Sequence, residues 1–517
     1  MLHLSQNDHL VLEEHRLSIS QIEAQLQQLR QGIPPLRLIR PCRVGDGIIQ
    51  LSPQHFAEYH RQFQHAQAAG RVSKFIPASG AATRMFKDLL QYLEKDEFSQ
   101  TTKLKDCTLS EAIDQTWKQF HHFPFIDDLQ QYFETAGIDF QNLFHTKQMR
   151  QVFQTLLHVP GLGYAHLPKA LLPFHQYPEG FRTSLEEHVR EAMLYGQKAS
   201  PPIPIHLTVS AQFEKQVKAS VDTIQRQQAQ GRIECELTVS IQKSSTDTIA
   251  LDSQDQPFRN DEGMLVFRPG GHGALLENLN EYQGDIVFIS NIDNVVPDRL
   301  KDLIVEWRMA LGGFLLKLQE GIFHHLSILH ANAVNPDIVQ EAKHFIQEHL
   351  QHEVPAAYES WPISDKAVFL KQFLNRPLRV CGVVPNTGDP GGGPFWVQHA
   401  DGSQSRQIVE QSQGDPESVS QQQLFALATH FNPVDMVCGV RDYQGNPFNL
   451  LTFSDPDTSF ISHKSYQGRA LKALEWPGLW NGGMADWITL FVEIPRATFN
   501  PVKTFLDWLH PHHQPHA

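Results

Sequence analysis

A chain of 517 residues with 41% hydrophobic and 19% charged residues has the composition of a globular protein, not a disordered one. Its formal net charge of −14 argues against non-specific nucleic-acid binding, which needs a basic footprint, yet leaves room for one small anion in a locally basic pocket. No run reaches the ~18 apolar residues of a membrane span, so no membrane partner is expected. The first residues, MLHLSQNDHLVLEEHRL, carry acids and amides where a signal peptide has a basic flank and an apolar run. Five scattered cysteines, an odd number with no metal-ligand spacing, fit a reducing cytoplasm.

Residues 1 to about 70 read as helical: Ile19, Ile22, Leu26 and Leu29 share one face, and Gly32 supplies a stop. An apolar strand through Phe75, Ile76 and Pro77 then gives way to the small residues Ser79, Gly80, Ala81 and Ala82, followed by Thr83, Arg84 and Met85. From about 88 to 160 the spacing is helical again, which predicts a helical insert. IHLTVS (205–210), CELTVSIQ (235–242), GMLVFRPGG (263–271) and GDIVFISNID (284–293) read as strands, and DRLKDLIVEWRMALGGFLLKL as a long helix. After about 375, RPLRVCGVV, PFWVQ, FNLLTF and ITLFVEIP read as further strands. Strands alternating with helices predict an α/β fold with much parallel pairing. The expected organisation is a helical N-terminal region over 1–70 and one α/β domain over 71–517, strand-rich from about 375. HPHHQPHA, residues 510–517, reads as a mobile tail rather than a metal site.

Five segments carry side chains suited to phosphate chemistry. The turn Ser79-Gly80-Ala81-Ala82-Thr83 with Arg84 is either a phosphate cradle at a strand-to-helix junction or a tight turn with a surface arginine. It is not a P-loop, because no Gly-Lys-Ser/Thr closes it. Lys169, in LPKALLPFHQY, is a fixed cation or a snorkelling surface lysine. Gly270, Gly271 and Gly273 bracket His272 and suit backbone passing close to a flat or anionic ligand; His272 either touches phosphate or caps a helix. Asn291-Ile292-Asp293-Asn294 ends an apolar strand, where a carboxylate can hold Mg²⁺ with phosphate oxygens or form an Asx-turn. Arg496 and Lys503 flank Phe499 and Pro501 on a rigid segment suited to clamping a diphosphate. The glycines and aromatics of VVPNTGDPGGGPFWV (383–397) and WNGGMADW (480–487) are either a sugar platform or a packed core.

Together these segments resemble the sugar-phosphate nucleotidyltransferases of the GT-A type, which show Gly-x-Gly-Thr-Arg-Met/Leu and then Pro-Lys-x-Leu-Leu-Pro. The chain has Gly80-Ala81-Ala82-Thr83-Arg84-Met85 and Pro168-Lys169-Ala170-Leu171-Leu172-Pro173. The two halves stand about ten residues apart in that superfamily; the helical insert separates them here. Gly271-His272-Gly273, Asn291 to Asn294, and Pro495-Arg496 through Phe499, Pro501, Val502 and Lys503 resemble elements of the UDP-sugar pyrophosphorylase branch, whose uracil-reading glutamine corresponds to Gln242. PASGAATRMFK, FRPGGHGALLENLN, NIDNV, GDPGGGPFWV, HFNPVD and ALEWPGLWNGGMADW are closer still to an uncharacterised bacterial family catalogued as domain of unknown function 4301.

The resemblance implies a GT-A/Rossmann-like nucleotide-diphospho-sugar transferase fold. That fold has a mixed, mostly parallel sheet with helices on both faces, here with the helical N-terminal region and insert added. It implies transfer of a nucleotidyl group, uridylyl favoured, from a nucleoside triphosphate such as UTP to a sugar 1-phosphate. Asp293 would hold Mg²⁺; Arg84 and the Ser79–Thr83 turn would hold pyrophosphate. Lys169 and Lys503 would steady the phosphates. Gln242 and Gly270–Gly273 would read the base, and Asn291, Asn294 and Arg496 would hold the sugar phosphate. The alternative is a non-catalytic nucleotide-sugar binding or sensing protein on the same fold. One departure stands out. Ala82 replaces the second glycine of the phosphate loop, and its methyl group is expected to crowd a phosphate.

Overall fold

The computed structural model describes residues 4–94, 107–195, 201–229, 235–331, 335–388 and 391–515. The chain folds into two units. The first takes 1–75, 240–289 and 307–496; the second takes 76–239, 290–306 and 497–517.

The first unit contains most of a large mixed sheet. Its strands are β1 (Arg43–Val44), β2 (Gly47–Ile49), β3 (Val72–Pro77), β4 (Ile286–Ser290), β5 (Leu378–Pro385), β6 (His430–Gly439) and β7 (Ile488–Glu493). They lie in the order β1-β2-β7-β5-β6-β4-β3. Pairing is parallel between β1 and β2, β2 and β7, β7 and β5, and β4 and β3, and antiparallel between β5 and β6. Alternate residues of these strands, Val287 and Ile289, Cys381 and Val383, Met436 and Cys438, point into one core with Phe75 and Phe491. Every residue of β4 is buried, as expected of a strand covered on both faces.

The N-terminal helices obey simple rules. Ser18 caps Ile19–Gln31 through a capping box with Gln21, and Gly32 ends it at φ 81°. Ile22, Leu26 and Leu29 pack against Ile249, Leu251, Leu265 and Leu474. Between this helix and Phe56–Ala68, the chain makes the short strands Arg37–Pro41, β1 and β2, which helical spacing does not anticipate.

The second unit is built on aromatic packing. Helices Lys87–Glu94, Cys107–Lys118, Ile126–Thr135, Phe140–His145 and Met149–Leu157 form the expected insert. Residues 95–106 of that insert lie outside the described residues, as do 389–390 in the 383–397 segment. Phe86, Phe120, Phe123, Phe125 and Phe153 share one core with Phe505 and Trp508. The unit continues through a hairpin, Pro173–Tyr177 with Gly180–Thr183, then helix Ser184–Ala192 capped by Thr183, and strand Pro204–Val209. The helix Asp298–Ala331 begins in this unit and runs on into the first. Among the described residues no helix is long and apolar enough to cross a membrane.

Three expectations are corrected. FNLLTF is a 3₁₀ turn, Leu450–Phe453, not a strand: the Leu450 N–H is taken by the Asn280 side chain at 2.7 Å, and Leu450 enters the core. A short apolar run does not distinguish the two forms. GMLVFRPGG holds only the two-residue strand Phe267–Arg268, because Asn260 and Gly263 turn the chain just before it. The described part of HPHHQPHA is not a loose tail: His513 is buried, stacked 5.2 Å from His175 and hydrogen-bonded to it at 2.9 Å.

Candidate phosphate site in the second unit

The small-residue turn after β3 meets the Pro-Lys segment directly. The Ala82 N–H donates to the Leu167 carbonyl at 3.1 Å, Ala81 bridges Pro168, and the Thr83 hydroxyl donates to the Ala165 carbonyl at 3.4 Å. The Ser210 hydroxyl donates to the Ser79 carbonyl at 2.5 Å. Two segments separated by the whole insert thus form one turn, with Lys169 two residues beyond the contact.

Ala82 does not behave as its sequence position suggests. It is fully buried in the aromatic core of the insert, beside Met85 and Phe86, so its methyl group fills core space. Gly80 is the opposite case. It is exposed, has no positive φ, and a methyl group there would meet nothing within 4 Å. Folding alone does not require glycine at 80. The helix expected to follow at once is also absent: a single 3₁₀ turn, Ala82–Arg84, comes first, and the α-helix starts at Lys87. The turn therefore offers backbone and the exposed Arg84, not a helix terminus.

Asp293 sits in the loop after β4 and is 4% exposed. Lys169 Nζ donates to its Oδ2 at 2.6 Å, and Lys503 Nζ lies 3.2 Å from both carboxylate oxygens. Lys169 also donates to the Val502 carbonyl at 3.2 Å. Burial raises the Asp293 carboxyl, but the ammonium groups of Lys503 and Lys169 outweigh it and hold the group below the usual carboxylate range. Burial pulls Lys169 down against the attraction of Asp293. Lys169 and Lys503 set two ammonium groups against the one carboxylate of Asp293, and Asp507 lies beside them, accepting the Lys503 backbone N–H at 2.7 Å.

Asn294 fastens these pieces together. Its Oδ1 accepts from the Asn500 N–H at 2.8 Å, its Nδ2 donates to the Thr498 carbonyl at 3.4 Å, and the Val502 N–H donates to the Asp293 carbonyl at 3.0 Å. Asn294, expected at the sugar phosphate, has a buried side chain that joins two loops, which aims Lys503 at Asp293. Asn291 is half-exposed, and its carbonyl is held by His188 Nε2 at 3.2 Å.

A buried network under this loop has no counterpart in the sequence reading. Glu187 is bonded to His175 Nδ1 at 2.9 Å, to the Tyr177 hydroxyl at 2.7 Å and to Lys301, which also donates to the Val296 carbonyl. The Tyr177 hydroxyl accepts from the Asp298 N–H at 3.1 Å. Burial pushes the Glu187 carboxyl up, yet His175 and Lys301 bring it down to about 2. The available signal was the polar pair Glu187-His188 on the inner face of a helix, with Lys301 three residues past Asp298.

The remaining candidates belong to the first unit. Gln242 is half-buried just past strand Glu236–Ile241. A methyl group on Gly270 would fall 2.3 Å from Trp476, and one on Gly273 would fall 2.2 Å from the Pro477 carbonyl. Those glycines serve the close approach of Trp476-Pro477. His272 opens a 3₁₀ turn, stacks 4.7 Å from Trp480, and accepts the Leu479 N–H at 3.1 Å. Arg496 is half-buried at the start of another 3₁₀ turn. Phe395 and Trp396 are buried strand residues, and most positions of 480–487 are buried in turns, with Trp480 half-buried against the core.

No group of three or more metal-binding side chains occurs among the described residues. Asp293 offers one carboxylate, and Lys169 and Lys503 engage both of its oxygens, so a magnesium ion there would require release of those contacts and further oxygens from a ligand.

The family described as domain of unknown function DUF4301 matches residues 5–514. No curated protein matches the chain. Among solved structures, UDP-glucose pyrophosphorylase from Leishmania major is 12% identical at a TM-score of 0.44, covering 98% of this chain and 79% of its own. UDP-N-acetylglucosamine pyrophosphorylase from Trypanosoma brucei is 11% identical at 0.46, covering 96% and 79%.

Proposed function

The chain belongs to the DUF4301 family, and we propose that it is a nucleotidyltransferase moving a uridylyl group from UTP to a sugar 1-phosphate. The observation that carries this reading is the joining of Ala81-Ala82 to Leu167-Pro168, which puts Lys169 beside an exposed glycine turn. A sugar-phosphate oxygen attacks the α-phosphorus; the bond from that phosphorus to the bridging oxygen breaks, and pyrophosphate leaves. Positioning and charge neutralisation suffice, without a covalent enzyme intermediate.

Lys169 and Lys503 transfer their hydrogen bonds from Asp293 to phosphate oxygens as ligand arrives. The Ser79–Thr83 backbone and Arg84 hold the outgoing pyrophosphate. Asn291 and Arg496 contact the sugar phosphate, and Asn294 keeps Lys503 in place. Gln242 and the Gly270–Gly273 segment discriminate the base. Asp293 is the carboxylate for Mg²⁺, which when bound supplies further positive charge to the phosphate oxygens.

A non-catalytic nucleotide-sugar sensor is the second reading, favoured by the ion pairs that already engage both oxygens of Asp293. The test is pyrophosphate release from a panel of nucleoside triphosphates and sugar 1-phosphates with Mg²⁺. Turnover with UTP and one sugar is expected. Tight UTP or UDP-sugar binding without turnover selects the sensor, and absence of nucleotide binding removes both readings.

A further inference from the structure

The first unit contains a cleft of about 1060 Å³ whose lining includes none of the residues discussed above as phosphate ligands. It opens where the chain enters β5 and β7, beside the strand Gln404–Val409. Its charges are sorted by depth. Arg406 is 5% exposed; its guanidinium donates to the Leu350 carbonyl at 2.5 Å and to Gln351 Oε1 at 3.4 Å, and lies 5.7 Å from the Trp396 ring. Both hydrogen-bond partners are neutral, and no carboxylate among the described residues pairs with it. Arg376, half-buried, donates only to the Gln372 carbonyl at 3.4 Å and lies 5.4 Å from the Phe373 ring. His352 packs 4.3 Å from the same ring. Of the acids of the lining, Glu348, Glu353, Asp401 and Asp486 are exposed, Asp486 acting on Arg376 through space without a hydrogen bond, and Asp46 is held by Arg40 at 2.7 and 3.0 Å.

A buried guanidinium without a counter-charge is costly and is retained where an anion completes it. Two guanidiniums sharing one cleft match a dianion better than a single carboxylate, and arginine presents parallel N–H groups to phosphate oxygens. The aromatic walls at Trp396 and Phe373 suit a flat or apolar body attached to that group. We propose that this cleft binds a small organic phosphate, with its phosphoryl group on Arg406 and Arg376 and its body beside Phe373.

The test is isothermal titration of the full chain with phenyl phosphate, inorganic phosphate and benzoate. Phenyl phosphate is expected to bind more tightly than the other two, and Arg376→Gln and Arg406→Lys each to weaken it by about tenfold or more. Lys503→Ala, in the other cluster, is expected to leave that affinity unchanged. Arg376→Gln keeps the test decisive if Arg406→Lys does not fold. Failure of phenyl phosphate to bind, or unchanged affinity in Arg376→Gln, overturns the proposal. So does loss of binding in Lys503→Ala alone, and equal affinity for benzoate overturns the phosphate assignment.

Discussion

Asp293→Asn keeps the shape of the side chain and removes the one negative charge between Lys169 and Lys503. The side chains of Asp293 and Lys169 are 6% and 13% exposed, so this is a buried pair, whereas Lys503 is 51% exposed. Removing one partner of a buried pair costs about 3–5 kcal/mol, and the exposed lysine adds little. The asparagine oxygen still accepts one hydrogen bond, which places the expected loss near the lower end, about 3 kcal/mol at about pH 7. Burial already lowers Lys169, and without Asp293 it falls further. Between that lowered value and the unfolded lysine at about 10.4, the unfolded chain holds more protons, so stability rises with pH. The variant should therefore recover part of its deficit as pH is raised toward about 9.5. Urea unfolding at both pH values reads this. Pyrophosphate should meanwhile bind Asp293→Asn more tightly than the parent, because two cations lose their internal partner, while turnover falls by about 10²–10³. A variant as stable as the parent, with unchanged pyrophosphate affinity, would refute the charge argument.

Three further outcomes follow from the same geometry. Lys503→Ala should reduce turnover by about 10²-fold while changing urea stability by less than about 1 kcal/mol, since its ammonium is half-exposed; a large stability loss would show the lysine to be structural. Gly80→Val should fold like the parent and lose nucleotide binding, whereas Ala82→Gly should lose about 1 kcal/mol of stability without gaining affinity; the reverse pattern in thermal melts and UTP titrations would contradict the assignment of the two positions. Burial pushes His206 down to about 4, so between about 6.5 and 4 the unfolded chain takes up a proton the folded chain refuses. This costs up to about 3 kcal/mol on acidification, and His206→Gln should flatten that part of the urea-midpoint profile, a slope unaltered by the substitution counting against it.

The parts of the site legible in the sequence were those whose chemistry is local. Lys169 stands out because proline and leucines surround it, and Asp293 because an apolar strand ends there. The halves of the phosphate turn could be paired in advance only through their wording, because their adjacency rests on a hydrogen bond across the insert. Side-chain direction was not legible. Ala82 faces core and Gly80 faces open space, and nothing in four small residues in a row distinguishes them. That Gly270 and Gly273 admit Trp476-Pro477 was not legible either, because that pair lies about two hundred residues away in sequence, beyond any local pattern. The burial of His513 was not legible for a related reason: its partner His175 lies in a hairpin far away in sequence, and a histidine-rich string has no periodicity to mark burial. The fold class was readable from strand-helix alternation, while β6 was not, its HFNPVD stretch mixing proline and asparagine with apolar residues.

The contact between Ala82 and Leu167 closes a chain excursion of about 85 residues, an entropic cost of about 4 kcal/mol. The insert core offsets that cost, so the phosphate turn is conditional on helices that touch no ligand. In a random-mutagenesis screen for inactive variants, cavity-forming changes at Phe120, Phe125 or Phe153 would score alongside Lys169, although each lies in the insert core. Their signature would be temperature: activity retained in the cold and lost on mild warming, where a lysine substitution is inactive at every temperature.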